Sequence, residues 1–256
     1  MRLESEVDLW IENILKPAKL LLAWEAPKIC VDRRRWVVGE IVSEQERTIF
    51  RYFQGKGFSE SNCGRSLSDL MAAGYRGYPA FQPYDSPKNF HEKVLEAFNR
   101  RLPPSDRSDF GRYLQHFRLR PGTELTTMSL LALTGAKLPG DGFEIVDPLV
   151  DTDGPFELVM PIAGFRHYKS HVHDLAEGDD LALLAEPSNS YDENAVMIQA
   201  RGKIIGHVNR LQAGGFRRLL GTAEVSAKLL RLNGTPDVPK AFAFVSVRPR
   251  SVQKAA

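Results

Sequence analysis

The sequence contains only two cysteines, Cys30 and Cys63, among its 256 residues. Their spacing matches no zinc-binding pattern, so a cysteine-based metal site is not expected. Acidic residues stand at Glu4 and Glu6 and no small-residue cleavage site follows, so the N-terminus lacks the pattern of a signal peptide. We therefore expect a reduced, cytoplasmic protein.

Long apolar runs are also absent, since none reaches the roughly 18 residues that a membrane-spanning helix requires. The longest apolar clusters, residues 20–24 and 181–185, have the length of short buried strands. The sequence has no G-x-x-x-x-G-K-[S/T] nucleotide-binding loop and no kinase catalytic-loop pattern. We therefore predict no membrane association, no cofactor and no enzymatic activity.

Charge is unevenly distributed along the chain, although the net charge is only +2. Residues 141–200 contain 13 acidic and 2 basic residues, whereas residues 201–250 contain 10 basic and 2 acidic residues. A basic segment of this density can contact the phosphates of a nucleic acid. It can equally pair with the acidic segment before it, and the charge pattern alone does not separate these two interpretations.

The first 135 residues are predicted to form a small sheet with three or four helices. Apolar residues at helical spacing predict a helix from Ser5 that ends at Pro17. Gly55 and Gly57 are expected to break the chain, and residues 71–85 to form a loop. The other predicted elements are strands at residues 19–24, 35–41 and 48–53 and helices at residues 86–102, 105–117 and 123–133.

Residues 138–155 are rich in Gly, Pro and Asp, and we expect the domain boundary here. Beyond it the chain is predicted to form six short strands, at residues 156–164, 180–185, 195–200, 203–208, 223–230 and 241–247. One helix, residues 211–220, is expected between them. Many short strands are typical of a small β-barrel. The predicted fold is α+β, with domains at residues 1–140 and 150–250.

Three motifs follow one another in the C-terminal region. They are G-F-R-H-Y at residues 164–168, E-P-S-N-S-Y-D-E-N-A-V at residues 186–196 and I-G-H-V at residues 205–208. In order and spacing they resemble the HIRAN domain, a family found in DNA-repair translocases. The resemblance covers about 90 residues and implies an OB-like β-barrel that binds the 3′ end of single-stranded DNA.

The residue types in these motifs suit a single strand, which offers base faces and phosphates. Tyr168 and Tyr191 can stack on bases, and Arg166 and Arg210 can neutralise phosphates. For Asp192, the resemblance implies a hydrogen bond with a free 3′-hydroxyl. The full set of predicted nucleic-acid-binding residues is Arg166, His167, Tyr168, Tyr191, Asp192, Asn194, His207 and Arg210.

Each of these residues also has a structural interpretation. Asn189, Asp192 and Asn194 can build a turn, because Asn and Asp side chains accept hydrogen bonds from nearby backbone N–H groups. The two tyrosines can be half-buried barrel residues, and His207 can be a packing residue. His167 departs from the family pattern, since members that bind DNA ends carry an aromatic residue there and histidine stacks less strongly.

A histidine cluster offers a weak candidate for a metal site. His171 and His173 would share one face of a strand, with His167 and Asp174 nearby. Zinc requires three or four ligands with supporting hydrogen bonds, and a solvated loop accounts for the same residues. A metal-dependent hydrolase acting on acid anhydrides is therefore kept only as a second alternative function.

The N-terminal region is similar to the first segment of HipA-like proteins. The similarity rests on K-L-L-L-A-W at residues 19–24, R-W-V-V-G-E-I at 35–41, F-R-Y-F at 50–53 and A-F-N-R-R-L at 97–102. Fusion of such a segment to a HIRAN domain resembles the architecture of bacterial HIRAN proteins. No HipA-type kinase domain follows, so the resemblance implies a scaffold or protein contact.

Two functions from different classes follow from this sequence. The first is a non-catalytic nucleic-acid-binding module for single-stranded DNA or 3′-hydroxyl DNA ends. The alternative is a protein-interaction module, such as a toxin–antitoxin or phage-defence accessory, that contacts a partner through the N-terminal domain.

Overall fold

A computed structural model describes residues 8–27, 35–44, 47–85, 87–152, 154–171 and 175–250. These residues form two antiparallel sheets with several helices, which confirms the predicted α+β class. The chain divides into two compact units, each of which contains one sheet. The first-sheet unit comprises Lys16–Phe110 and Leu125–Asp147, and the second-sheet unit comprises Met1–Leu15, Gly111–Glu124 and Pro148–Ala256.

The first sheet has five strands in the order β4-β3-β2-β1-β5. Their bounds are Lys19–Glu25 (β1), Arg35–Glu44 (β2), Arg47–Tyr52 (β3), Asn89–Phe90 (β4) and Phe143–Val146 (β5). The three predicted strands are confirmed as β1, β2 and β3. Strand β5 lies within residues 138–155, where only a connection was predicted, and it pairs with β1.

Five helices accompany the described part of the chain before residue 148. They are α1 (Gly55–Ser61), α2 (Leu67–Ala72), α3 (Val94–Asn99), α4 (Phe110–His116) and α5 (Thr127–Thr134). The predicted break at Gly55 and Gly57 is wrong, because both glycines lie in α1. Helix α5 ends as predicted at Gly135, which adopts the left-handed conformation that glycine tolerates.

The helix predicted from Ser5 does not form in the described residues 8–17, and its predicted start lies outside them. The reason is a tertiary contact that takes the backbone donors. The N–H groups of Glu12 and Asn13 donate to the Glu157 carboxylate at 3.0 and 2.7 Å instead of to carbonyls one turn earlier. No helix in the described residues is both long and apolar enough to cross a membrane.

Aromatic side chains fill the core of the first-sheet unit. The ring of Phe50 lies 4.8 Å from that of Phe81 and 5.5 Å from that of Phe98, and all three are buried. Burial also raises the pKa of the Tyr52 hydroxyl to about 12. These rings therefore face one another and not the solvent.

The second sheet has six strands in the order β6-β11-β10-β7-β8-β9. Their bounds are Phe156–Pro161 (β6), Asp180–Ala185 (β7), Val196–Ala200 (β8), Lys203–His207 (β9), Ala223–Thr235 (β10) and Val238–Pro249 (β11). A 3-10 helix, Phe165–His171, follows β6, and α6 (Arg210–Thr222) follows β9. All six predicted strands and the predicted helix are confirmed.

The edge strands of this sheet, β6 and β9, meet at a single isolated bridge. Ala163, two residues beyond β6, exchanges both backbone hydrogen bonds with His207, at 2.8 and 2.9 Å. Gly206 is required beside this bridge, because a Cβ there would lie 2.5 Å from Ile162 and 2.6 Å from the Ala163 carbonyl. The predicted barrel is thus a six-stranded sheet joined edge to edge at one residue pair.

Strands β10 and β11 form a hairpin that extends past their neighbours. β7 pairs with β10 only at Ala227 and Lys228, and the β6 pairing of β11 begins at Phe242. Residues 232–240 at the tip are mostly exposed, with Leu232 at 36% and Val238 at 49% of their full accessible surface. A two-stranded ribbon therefore projects from the sheet.

Candidate nucleic-acid interface

The turn between β7 and β8 carries the second predicted motif and is built by its own side chains. The Asn189 side-chain oxygen accepts hydrogen bonds from the N–H groups of Tyr191 and Asp192, at 2.9 and 3.2 Å. The Asp192 carboxylate accepts one from the N–H of Asn194 at 2.9 Å. The structural interpretation therefore holds for Asn189, whose amide fixes the turn.

Tyr191 stands at the outer end of this turn and is 94% exposed. A tyrosine normally buries much of its ring, so a ring this exposed contributes little to folding. Its backbone is nevertheless held by Asn189. The turn thus presents an aromatic face to solvent from a fixed position, and the half-buried interpretation of Tyr191 is wrong.

Asp192 and Arg210 bring opposite charges together beside this ring. The second Asp192 carboxylate oxygen lies 3.9 Å from the Arg210 guanidinium, and the two side chains are 25% and 45% exposed. Arg210 is the first residue of α6, which fixes its backbone. A carboxylate and a guanidinium in this arrangement can accept a hydroxyl hydrogen bond and attract a phosphate.

The segment that follows β6 presents three of the predicted residues from a 3-10 helix. Phe165 is buried and fixes this helix against the core, whereas Arg166 and His167 are exposed. The Arg166 Nε donates a hydrogen bond to the His167 Nε2 at 3.1 Å. The Tyr168 ring is half-buried and lies 6.3 Å from the His207 ring, so the structure brings Tyr168 and His207 together.

His207 is oriented by a carboxylate that the prediction did not include. Its Nε2 lies 2.9 Å from Glu186 Oε2, and the two side chains are 31% and 24% exposed. The same Glu186 oxygen accepts from the Asn189 amide at 3.4 Å. Because a carboxylate only accepts, Nε2 carries the proton and Nδ1 faces away from Glu186. Glu186 is the first residue of the second motif, and its acidic side chain is the sequence feature that could have indicated a contact with His207.

The Asn194 side chain contacts an arginine of helix α6. Its side-chain oxygen accepts from the Arg217 guanidinium at 3.1 Å, and the same guanidinium donates to the Glu193 carbonyl at 2.9 Å. Arg217 lies in α6, so this contact ties the turn to the helix. The eight predicted residues therefore separate into the Tyr168–His207 pair, the Arg166–His167 pair, the Tyr191–Asp192–Arg210 group and Asn194, for which contact with nucleic acid stays a prediction.

Much of the basic segment pairs with the acidic segment before it. Arg201 pairs with Asp179 at 3.0 Å, Lys228 pairs with Asp180 at 2.6 Å, and Arg248 pairs with Glu157. The Arg218 guanidinium donates to the carbonyl of Leu149 at 2.9 Å. Contacts inside the second-sheet unit therefore account for part of the charge asymmetry of the sequence, which does not by itself mark a binding surface.

The weak metal candidates cannot be placed. His173 lies outside the described residues, and the structure does not describe the side chain of His171. Among the residues that it does describe, no group of three His, Cys, Asp or Glu side chains could hold a metal ion.

Comparison with known proteins finds one family match, which lies within the second-sheet unit. Residues 155–240 match the family model of the HIRAN domain. No curated protein sequence matches the chain. The HipA-like segment of the N-terminal region is not identified by these comparisons and stays a prediction.

Three solved structures are each similar to 36–37% of the chain. The crystal structure of the HIRAN domain of human HLTF is 20% identical, with 36% of this chain and 74% of that chain covered and a TM-score of 0.31. A crystal structure of a protein from Lactobacillus plantarum is 17% identical over 37% of this chain and 97% of that chain, with a TM-score of 0.31. The NMR structure of the HLTF HIRAN domain in its DNA-bound conformation is 18% identical over 37% and 76%, with a TM-score of 0.30. The family match therefore places the similarity to the HIRAN domain at residues 155–240, within the second-sheet unit.

Proposed function

We propose that this protein binds nucleic acid through its HIRAN domain, and specifically single-stranded DNA with a free 3′-hydroxyl end, without a catalytic step of its own. The observation that carries the proposal is the Tyr191–Asp192–Arg210 group within the matched segment. It places a stacking surface, a hydroxyl acceptor and a cation on one fixed turn and the helix beside it.

The chemistry of this group favours an end over an internal stretch of DNA. An exposed tyrosine ring stacks on any base and carries no sequence preference. A carboxylate repels the phosphates of a continuous backbone, but it accepts a hydrogen bond from a terminal hydroxyl. Asp192 therefore favours a strand that stops at this point with a 3′-hydroxyl over one that ends in a phosphate.

His207 and Tyr168 supply the second contact in this proposal. With Nε2 hydrogen-bonded to Glu186, the imidazole is held in one orientation, and its protonated form donates from Nδ1 to a phosphate. Tyr168 lies beside it with its ring partly exposed. We assign the first phosphate from the end to this pair.

The test compares three labelled DNA ligands by fluorescence polarisation: a 3′-hydroxyl single strand, its 3′-phosphorylated form and a blunt duplex. The 3′-hydroxyl strand should bind tightest, and Asp192→Asn should narrow the gap between the first two ligands while preserving binding. Equal binding of the hydroxyl and phosphate forms by the wild type would show that end reading is wrong. If none of the three ligands binds at low salt, the nucleic-acid function itself fails.

A protein partner for the N-terminal region is the alternative that the HipA-like segment favours. It makes a different prediction from DNA binding, because the candidate interface residues play no part in it. A stable complex that survives Tyr191→Ala and Asp192→Asn, in a protein that binds none of the DNA ligands, would favour this alternative.

A further inference from the structure

Two arginines lie over an aromatic ring in segments of the second-sheet unit that are outside the HIRAN match. The Trp10 ring has the Arg120 guanidinium 5.0 Å and the Arg118 guanidinium 6.0 Å from its centre. A backbone hydrogen bond of 2.8 Å from Ile11 to the Arg118 carbonyl holds the two segments together. Surfaces that contact single-stranded nucleic acid combine aromatic side chains, on which bases stack, with arginines that contribute cation–π contacts and positive charge.

The projecting β10–β11 hairpin adds a third arginine. Arg231 lies over the Phe242 ring, 4.6 Å from its centre, and donates to the His116 carbonyl at 2.7 Å. Its Nε is buried and has no hydrogen-bond partner in the described part of the protein. Arg231 is thus only partly satisfied, although burial of a guanidinium normally demands full pairing.

Nearby acidic residues do not neutralise the positive charge of all three arginines. Arg120 pairs with Glu12 at 3.1 Å, but within the described residues no carboxylate lies within 4 Å of Arg118 or Arg231. Burial and the neighbouring charge of Arg118 lower the pKa of Arg231, and Glu177 opposes this only in part. Arg231 contacts the carbonyl of His116, two residues before Arg118, and within the described residues neither arginine has a carboxylate in ion-pair distance. A phosphate would supply the opposite charge.

Backbone pairing connects this cluster to the candidate interface. Ala163 bridges to His207, and the preceding residue, Ile162, donates to the Ala241 carbonyl at 2.9 Å. Phe242 follows Ala241 directly and pairs with Pro161 in the sheet. The candidate interface and the Arg231–Phe242 pair are therefore neighbours at the end of the sheet where β6 and β9 meet.

We infer that Arg118 and Arg231 form a second phosphate-contacting surface, on which a single strand held at the candidate interface continues. This inference rests on the proposed function and extends it to Arg118, which lies outside the HIRAN match, and to Arg231 near the end of the matched segment. The inference requires a single strand long enough to extend beyond the candidate interface to Arg118 and Arg231. A short oligonucleotide should occupy the Tyr191–Asp192–Arg210 group alone.

The experiment measures binding of 3′-hydroxyl single strands of about 4 and about 16 nucleotides, the range of site sizes for OB folds, over a series of salt concentrations. The test variant is the double substitution Arg118→Gln and Arg231→Gln. Arg107→Gln is the control for loss of a single surface charge, since it removes one positive charge from an exposed pair with Asp109 in the first-sheet unit. Arg231→Lys keeps the positive charge at this position and separates the effect of charge from the effect of losing the His116 contact.

For the long strand, the double variant should bind more weakly, and the slope of log affinity against log salt should fall by about 0.7 for each lost phosphate contact. The short strand should bind the double variant and the wild type equally, and Arg107→Gln should bind both strands like the wild type. Arg231→Lys should retain most of the salt dependence. Equal slopes for the wild type and the double variant on the long strand would overturn this inference alone. A wild type that binds neither strand would overturn the proposed function with it.

Discussion

The aromatic cluster of the first-sheet unit and Tyr191 of the second-sheet unit have opposite surroundings. In the first-sheet unit, Phe50, Phe81 and Phe98 pack on one another and are almost fully buried. In the second-sheet unit, Tyr191 is 94% exposed although its backbone is fixed by Asn189. The difference teaches that an aromatic ring indicates a binding surface only when the chain holds it in place without burying it.

The strongest test of this comparison is removal of a core ring. Phe98→Ala should lower the free energy of unfolding by about 3–5 kcal/mol, because a fully buried aromatic side chain leaves a cavity. Thermal or urea unfolding of the purified variant measures this loss. A loss as small as that expected for a surface residue would mean that the aromatic cluster is not the core of the first-sheet unit.

The next test concerns a polar group that is buried for structural reasons. Glu157 is 2% exposed and accepts hydrogen bonds from the backbone of Glu12 and Asn13 and from Arg248. Burial would raise the pKa of this carboxyl, but the donors outweigh burial and hold the pKa below its ordinary value. The ionised form therefore stabilises the folded state.

Glu157→Gln should lower the free energy of unfolding by about 1–3 kcal/mol at neutral pH, since it removes hydrogen bonds to a charged acceptor. A carboxyl whose pKa is lowered by folding contributes stability above its unfolded pKa of about 4.3 and loses it as pH falls. The wild type should thus lose more stability than Glu157→Gln on acidification below about pH 4.3. Parallel pH profiles for the two proteins would show that this carboxylate is not the stabilising group.

The smallest effect on stability is expected at the exposed ring. Tyr191→Ala should change the free energy of unfolding by no more than about 0.5 kcal/mol, as is usual for an exposed site. The same change should weaken binding of single-stranded DNA by about 1–3 kcal/mol, the contribution of one stacked base. Tyr191→Phe keeps the ring and should bind almost as well. Full binding by Tyr191→Ala would remove this ring from the interface.

The strands of the second sheet were predictable because their apolar residues alternate between clear turn signals. Strand β5 was not, because Gly140, Asp141 and Gly142 gave residues 138–155 the composition of a connection. The helix expected from Ser5 failed for a different reason. Its apolar spacing is helical, but Glu157, about 145 residues away along the chain, takes its backbone donors, and no local pattern reports such a contact.

The candidate site was predictable in its residues but not in its pairings. The motif supplied Tyr168, Tyr191, Asp192 and His207, yet it did not show that Glu186 orients His207 or that Arg217 holds Asn194. Both contacts join residues more than 20 positions apart. The charge pattern misled in a similar way, because partners such as Arg201 and Asp179 cancel only once the sheet has formed.

The projecting hairpin has a consequence for how this protein behaves at high concentration. A ribbon with two unpaired edges invites strand addition from another chain, which is a route to aggregation. Near its tip, Pro239 has no N–H to offer and Asp237 and Lys240 bring charge of both signs. These residues disfavour the addition of a strand from another chain along the exposed part of the hairpin.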